Sequence, residues 1–128
     1  MKKVLLFTAL IGMLMMSCKK DEETPVVYDI TFTVIEPAAD EELMVGSELH
    51  MEVDIEGTKA IGNVELLAMN GAGDTVVNFQ TSTTETFLNV HEHYDIVAGD
   101  VGDCHMQISA WESNYADRKT QEVHFHVI

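Results

Sequence analysis

Basic residues are scarce in this chain: seven lysines and arginines stand against 22 aspartates and glutamates, giving a formal charge of −15 over 128 residues. A field that acidic repels phosphate backbones and anionic lipid headgroups, which argues against nucleic-acid binding and favours solubility and cation attraction. Cysteine is nearly absent, with only Cys18 and Cys104, so no disulfide framework is expected. No apolar run reaches the ~20 residues that a membrane-spanning helix needs. There is no internal repeat, no low-complexity tract and no long apolar stripe of period 3.6, so helices are not expected and the module should be one cooperative unit. Catalytic signatures are missing as well. The chain has no Ser-His-Asp order, nucleophile elbow or phosphate loop, and no carboxylate isolated in the apolar setting that raises a catalytic pKa. It is not expected to be an enzyme.

What the chain does carry begins at its start. Lys2 and Lys3 precede an apolar segment from Val4 to Met16, which runs into Met15-Met16-Ser17-Cys18. This resembles a bacterial lipoprotein signal with its lipobox: a basic region, an apolar region too short to span, then a cysteine. The resemblance implies cleavage before Cys18, a diacylglycerol on its thiol and a further acyl chain on the new amino group. Two or more chains give stable anchoring. Met15 stands where leucine is commoner. The following Lys19-Lys20-Asp21-Glu22-Glu23 resembles the export signal of surface lipoproteins in the Bacteroidota, and it also reads as a solvated tether. Lys19 sits where the inner-membrane retention signal has aspartate. The expected location is therefore the outer membrane, lipid-anchored, at the cell surface.

The expected organisation is a signal peptide over 1–17, an acylated cysteine and acidic tether over 18–27, and one domain over 28–128. Removing residues 1–17 takes away Lys2 and Lys3 and no acid, so the mature chain is two charges more negative still. From Tyr28 onward, short stretches alternate apolar and polar with period two between Gly, Asn, Asp and Ser clusters. Strands are expected near 28–35, 48–55, 62–69, 75–79, 86–91, 103–111 and 120–128. Seven short strands at this spacing predict an all-β, immunoglobulin-like antiparallel β-sandwich, with a small barrel as the rival.

Alternation also assigns faces. Leu49, Met51, Val53 and Ile55 should be core, with His50, Glu52 and Asp54 outside. Val64, Leu66 and Ala68 should point one way, with Glu65, Leu67 and Met69 opposite. Cys104, Met106, Ile108 and Ala110 should point in, and His105, Gln107, Ser109 and Trp111 out. Val123, Phe125 and Val127 should be inward, leaving Glu122, His124 and His126 outward. Cys104 thus reads as a buried, unpaired thiol. The last two strands should form a hairpin turning near 114–116, in which inward residues meet inward residues. His105 then lies opposite His124 or His126. Cross-strand Cβ atoms are ~5 Å apart and diagonal ones about 7 Å, so three imidazoles can converge. His91 and His93 form a second same-side pair.

The run His91-Glu92-His93-Tyr94-Asp95-Ile96, followed by Gly102-Asp103-Cys104-His105, resembles a family of Bacteroidota lipoproteins that carry an immunoglobulin-like domain of unknown function. Its members have a His-Glu-His segment, an aspartate and a hydrophobic residue, then a Gly-x-aromatic-His strand. The resemblance covers most of the mature chain and implies a fold and a location, with no assigned reaction. Cys104 replaces the usual tyrosine, and Trp111-Glu112-Ser113-Asn114 stands where an aspartate and a Gly-Asn turn are common.

Neutral imidazole is the commonest ligand for Zn²⁺ and Cu²⁺, and such sites need three or four donors at about 2.0–2.2 Å. The candidate ligands are His91, His93, His105, His124 and His126, with Glu92 and Glu65 as oxygen donors. Alternating histidines also occur simply as a polar outer face, and the strand carrying His91 could lie in the other sheet. His50 is expected to be solvated or packed. Asp95, Asp100 and Asp103 are a weaker Ca²⁺ candidate, because their spacing is not that of an EF-hand loop. Trp111 and Tyr115 could anchor a partner or glycan, or simply pack at the rim. Two functions are compatible with these features. One is a surface-anchored module binding zinc or copper through a histidine-rich face. The other is a metal-free adhesion or assembly module holding an envelope protein or glycan.

Overall fold

The structure, a computed structural model, describes residues 24–128. The expected signal segment, Cys18 and the charged run behind it lie outside the described residues. Period-two alternation produces eight strands: β1 (Ile30–Glu36), β2 (Glu41–Leu43), β3 (Glu48–Gly57), β4 (Gly62–Met69), β5 (Thr75–Thr83), β6 (Phe87–Asp95), β7 (Gly102–Trp111) and β8 (Lys119–Val127). They form two sheets, one of three strands in the order β1-β3-β6 and one of five in the order β2-β8-β7-β4-β5.

The inward rows read from the sequence are the core. Leu49, Met51, Val53 and Ile55 of β3, Val64, Leu66 and Ala68 of β4, and Cys104, Met106, Ile108 and Ala110 of β7 are all buried, joined by Phe125 and Val127 of β8. Fully burying one such large apolar side chain contributes about 1.5–3 kcal/mol, so these rows hold the sheets together.

Three elements differ from expectation, one of them β5, expected over 75–79 and continuing to Thr83. The short strand β2 follows a turn at 37–40 and runs parallel to β8, with Glu41 opposite Phe125 and Leu43 opposite Val127. Three residues are too few to show an alternation, so nothing in the pattern announced it. The strand expected over 86–91 instead continues to Asp95, which puts His93 on the sheet.

The corner between β6 and β7 is built around Asp100, in a short 3₁₀ turn at Ala98–Asp100. Its carboxylate is 3 % exposed and accepts hydrogen bonds from the Val97 amide (2.9 Å), Asn70 Nδ2 (2.9 Å) and the Tyr94 hydroxyl (3.0 Å). Burial alone would raise its pKa, but these three donors outweigh burial and leave it below the ordinary value. This corrects the Ca²⁺ candidate: Asp100 points inward with its oxygens engaged, Asp103 is bound to His126, and Asp95 stands apart on the exposed end of β6. Close packing at this corner needs glycine twice. Gly102 has φ +126°, and a Cβ on Gly71 would lie 2.1 Å from the Val101 carbonyl oxygen.

Cys104 is buried beside this corner, its thiol 3.3 Å from the Asp100 carbonyl oxygen. Burial, then the Asp100 charge, push its pKa up, so it stays a neutral thiol. A cavity of about 10 Å³ next to it, bounded by Leu49, Tyr94, Ile96 and Phe125, is the size of a single water. With Cys18 changed to serine, the folded protein should be inert to a thiol reagent and should react at Cys104 only when denatured. Fast labelling of the native protein would contradict this burial.

Candidate metal centre

The outer face of the three-stranded sheet is where histidines meet. Antiparallel register sets Glu48 opposite Asp95, His50 opposite His93, Glu52 opposite His91 and Asp54 opposite Asn89. A register shift in β1 between Val34 and Glu36 brings Glu36 opposite Glu52. The His50 and His93 rings are 4.5 Å apart between centroids, His91 and His93 are 4.6 Å apart, and His50 and His91 are 6.1 Å apart. One ligand atom from each of the three lies within 4.8 Å of the others. Two imidazoles sharing one ion through nitrogen bonds of about 2.0–2.1 Å have ring centroids about 4.5–6 Å apart. The trio has that spacing.

The surroundings are anionic. No strand of this sheet contains a lysine or arginine, while Glu36, Glu48, Glu52, Asp54 and Asp95 share its outer side. Asn89 Nδ2 donates to Glu52 Oε1 (3.1 Å) and Asp54 Oδ1 (2.8 Å), tying two of these carboxylates together. Glu48 Oε1 lies 2.8 Å from His50 Nε2 and 2.9 Å from His93 Nδ1. The hydrogen bond with His93 is the largest cause holding the Glu48 carboxyl below its ordinary pKa, against some desolvation and with help from the nearby imidazoles. The side chains of His50, His93 and Glu48 remain 43–46 % exposed. At that exposure such contacts add little to stability. Their consequence is orientation, because a carboxylate on one ring nitrogen fixes the tautomer and aims the other nitrogen outward.

The expected ligands fall into two groups on opposite sides of the sandwich. His91 and His93 join His50. His105, His124 and His126 lie on the outer face of the five-stranded sheet, where His105 is directly opposite His124 with ring centroids 5.7 Å apart. The convergence of all five does not occur, because β6 pairs with β3 rather than with the hairpin of β7 and β8. Neither expected oxygen donor faces the trio. Glu92 shares the interior side of β6 with Val90 and lies opposite Met51. Glu65 is 8 % exposed in the other sheet, accepting from Gln80 Nε2 (2.8 Å) and the Tyr115 hydroxyl (3.2 Å).

His50 was missed. Parity already placed it outside, but only the pairing of β3 with β6 puts it against His93. The partner-binding candidates Trp111 and Tyr115 pack edge to face at 4.8 Å, and the Arg118 guanidinium lies 4.3 Å over the Tyr115 ring. With its hydroxyl on Glu65, Tyr115 folds the β7–β8 turn back onto the sheet.

No family model matches the chain, and no curated protein matches it. Solved structures do. A CARDB domain from Pyrococcus furiosus, solved in complex with di-metal ions, superposes with a TM-score of 0.54 at 13 % identity, over 82 % of this chain and 97 % of its own. The shared feature is the immunoglobulin-like sandwich. A family 123 glycoside hydrolase from Clostridium perfringens (TM-score 0.42, 14 % identity) matches over 71 % of this chain but 22 % of the enzyme. A beta-glucosidase from Listeria innocua (TM-score 0.45, 13 % identity) matches over 79 % of this chain and 17 % of its own. Neither carries an activity over to this chain.

Replacing Glu48 with glutamine should weaken zinc or copper binding at the trio by about 10–100-fold, the usual effect of removing a carboxylate that orients ligating imidazoles. Calorimetric titration of the variant checks this, and an unchanged affinity would remove Glu48 from the site.

Proposed function

We propose that this chain is a surface lipoprotein whose domain binds one zinc or copper ion through His50, His91 and His93. The single observation that carries the reading is the convergence of three imidazole donors on a sheet face that has acids and no base. Three imidazoles suit Zn²⁺ and Cu²⁺ and leave a coordination position open. An exposed, open site suits buffering or handing an ion to another envelope component rather than locking it in place. The di-metal ions seen with the Pyrococcus furiosus domain belong to that protein and assign no ligand here.

Metal analysis of the purified full chain, made without a histidine tag and desalted after loading, tests the reading. With His105 on the opposite sheet changed to alanine, about one equivalent should remain, and less than a tenth would refute the trio. Anchoring through Cys18 at the cell surface belongs to the same proposal, resting on the lipobox and Lys20-Asp21-Glu22. Protease added to intact cells should then remove the domain, and full protection would refute outer-leaflet display.

Adhesion or assembly without metal is a second reading, with one specific support. Met44, Val45, Val97 and Ile128 are exposed apolar residues on neighbouring segments, since the Val45 amide bonds the Ile128 carbonyl and the Gly46 amide bonds the Ile96 carbonyl. Exposed apolar clusters of this kind mark contact sites. Failure to retain metal would leave this reading standing.

A further inference from the structure

The outer face of the five-stranded sheet carries histidines that the trio does not use. We infer that His105 and His124 form a second, separate clamp for a Cu²⁺ or Zn²⁺ ion. The two residues are direct cross-strand partners of β7 and β8. Their register is locked, because on either side Cys104 meets Phe125 and Met106 meets Val123, and a one-residue slip would turn that core row outward. The ring centroids are held 5.7 Å apart with planes inclined at 40°, within the span of about 4.5–6 Å for two imidazoles on one ion. The pair is organised before any ion arrives.

A carboxylate stands beside the pair: Glu122 Oε1 is 2.9 Å from His124 Nε2. Asp103 Oδ1 is already engaged, 2.7 Å from His126 Nδ1. The His124 side chain is 63 % exposed, so an ion can reach it from solvent. The only base on these two strands, Lys119, is paired with Ala110 at the far end of the hairpin. Two imidazoles select a borderline transition metal over Ca²⁺ or Mg²⁺. Two packed sheets are ~10 Å apart, and both histidine groups face away from the layer between them, so a single ion cannot serve both. This clamp uses none of the trio's residues and does not depend on it.

Equilibrium dialysis of the full chain against Cu²⁺, with bound metal counted, tests the clamp. The unaltered protein should hold two ions, and His105→Ala or His124→Ala should each lose one. In a His93→Ala background, Cu²⁺ should broaden the ring resonances of His105 and His124 in a ¹H–¹⁵N spectrum. Metal content unchanged by both His105→Ala and His124→Ala, or sharp His105 and His124 resonances at saturating Cu²⁺, would overturn the clamp. Those results would leave the trio untouched, while loss of metal with His93→Ala alone would refute the clamp and support the trio.

Discussion

His93→Ala should weaken zinc or copper binding at the three-stranded sheet by at least about 100-fold, because it removes a ligand rather than a group that orients one. His93 is the hub of the trio: its ring stands between the other two, 4.5 Å from His50 and 4.6 Å from His91, while those two are 6.1 Å apart. It also shares the Glu48 oxygen with His50. The substitution is on an exposed sheet face, where changes in stability stay within roughly 0.5 kcal/mol, so lost binding would not be lost folding. Titration of the variant beside His105→Ala separates the two faces. The first should lose the tighter site and the second should retain it; equal affinities in His93→Ala and the unaltered protein would refute the trio.

Asp100→Ala should be the most damaging of these substitutions to the fold, costing roughly 2–4 kcal/mol. Removing the carboxylate strands three donors at once, the Val97 amide, Asn70 Nδ2 and the Tyr94 hydroxyl, in a corner too tight to admit more than one water. At about 4–8 °C per kcal/mol for a domain of this size, the melting temperature should fall by roughly 10–25 °C. The pH dependence has a definite sign. The folded pKa lies below the ordinary 3.8, so the unfolded chain takes up this proton first and the carboxylate's contribution is full well above pH 3.8. It is lost as pH falls through the lower, folded value. The gap in stability between the unaltered protein and Asp100→Ala, followed by urea unfolding, should therefore narrow as pH is lowered from 7 to 3. A gap independent of pH would mean that the ionised form is not what the corner holds.

Alternation alone foretold which residues of β3, β4, β7 and β8 are core, because a strand with one buried face writes that face into every second residue. It also narrowed the partner of His105 to His124 or His126, since a short connection and matched inward rows leave few registers for a hairpin; the structure selects His124. The trio was not legible in the same way. His50 and His93 meet through the non-sequential pairing of β3 with β6, which no local pattern encodes. Glu92 was misplaced for a related reason: flanked by two histidines in sequence, it points the opposite way on the strand. The inward turn of Asp100 was hidden too, because a short 3₁₀ turn has no periodicity that distinguishes an anchoring carboxylate from a solvated one.

Glu92 has an effect that reaches beyond its own molecule. Among the described residues, strand β6 is one of the two margins of the three-stranded sheet, and an open margin offers its backbone amides and carbonyls to any neighbouring strand. A second chain adding itself there would have to close over the Glu92 carboxylate, on a sheet with no base to receive it. That burial is costly enough to turn the newcomer away.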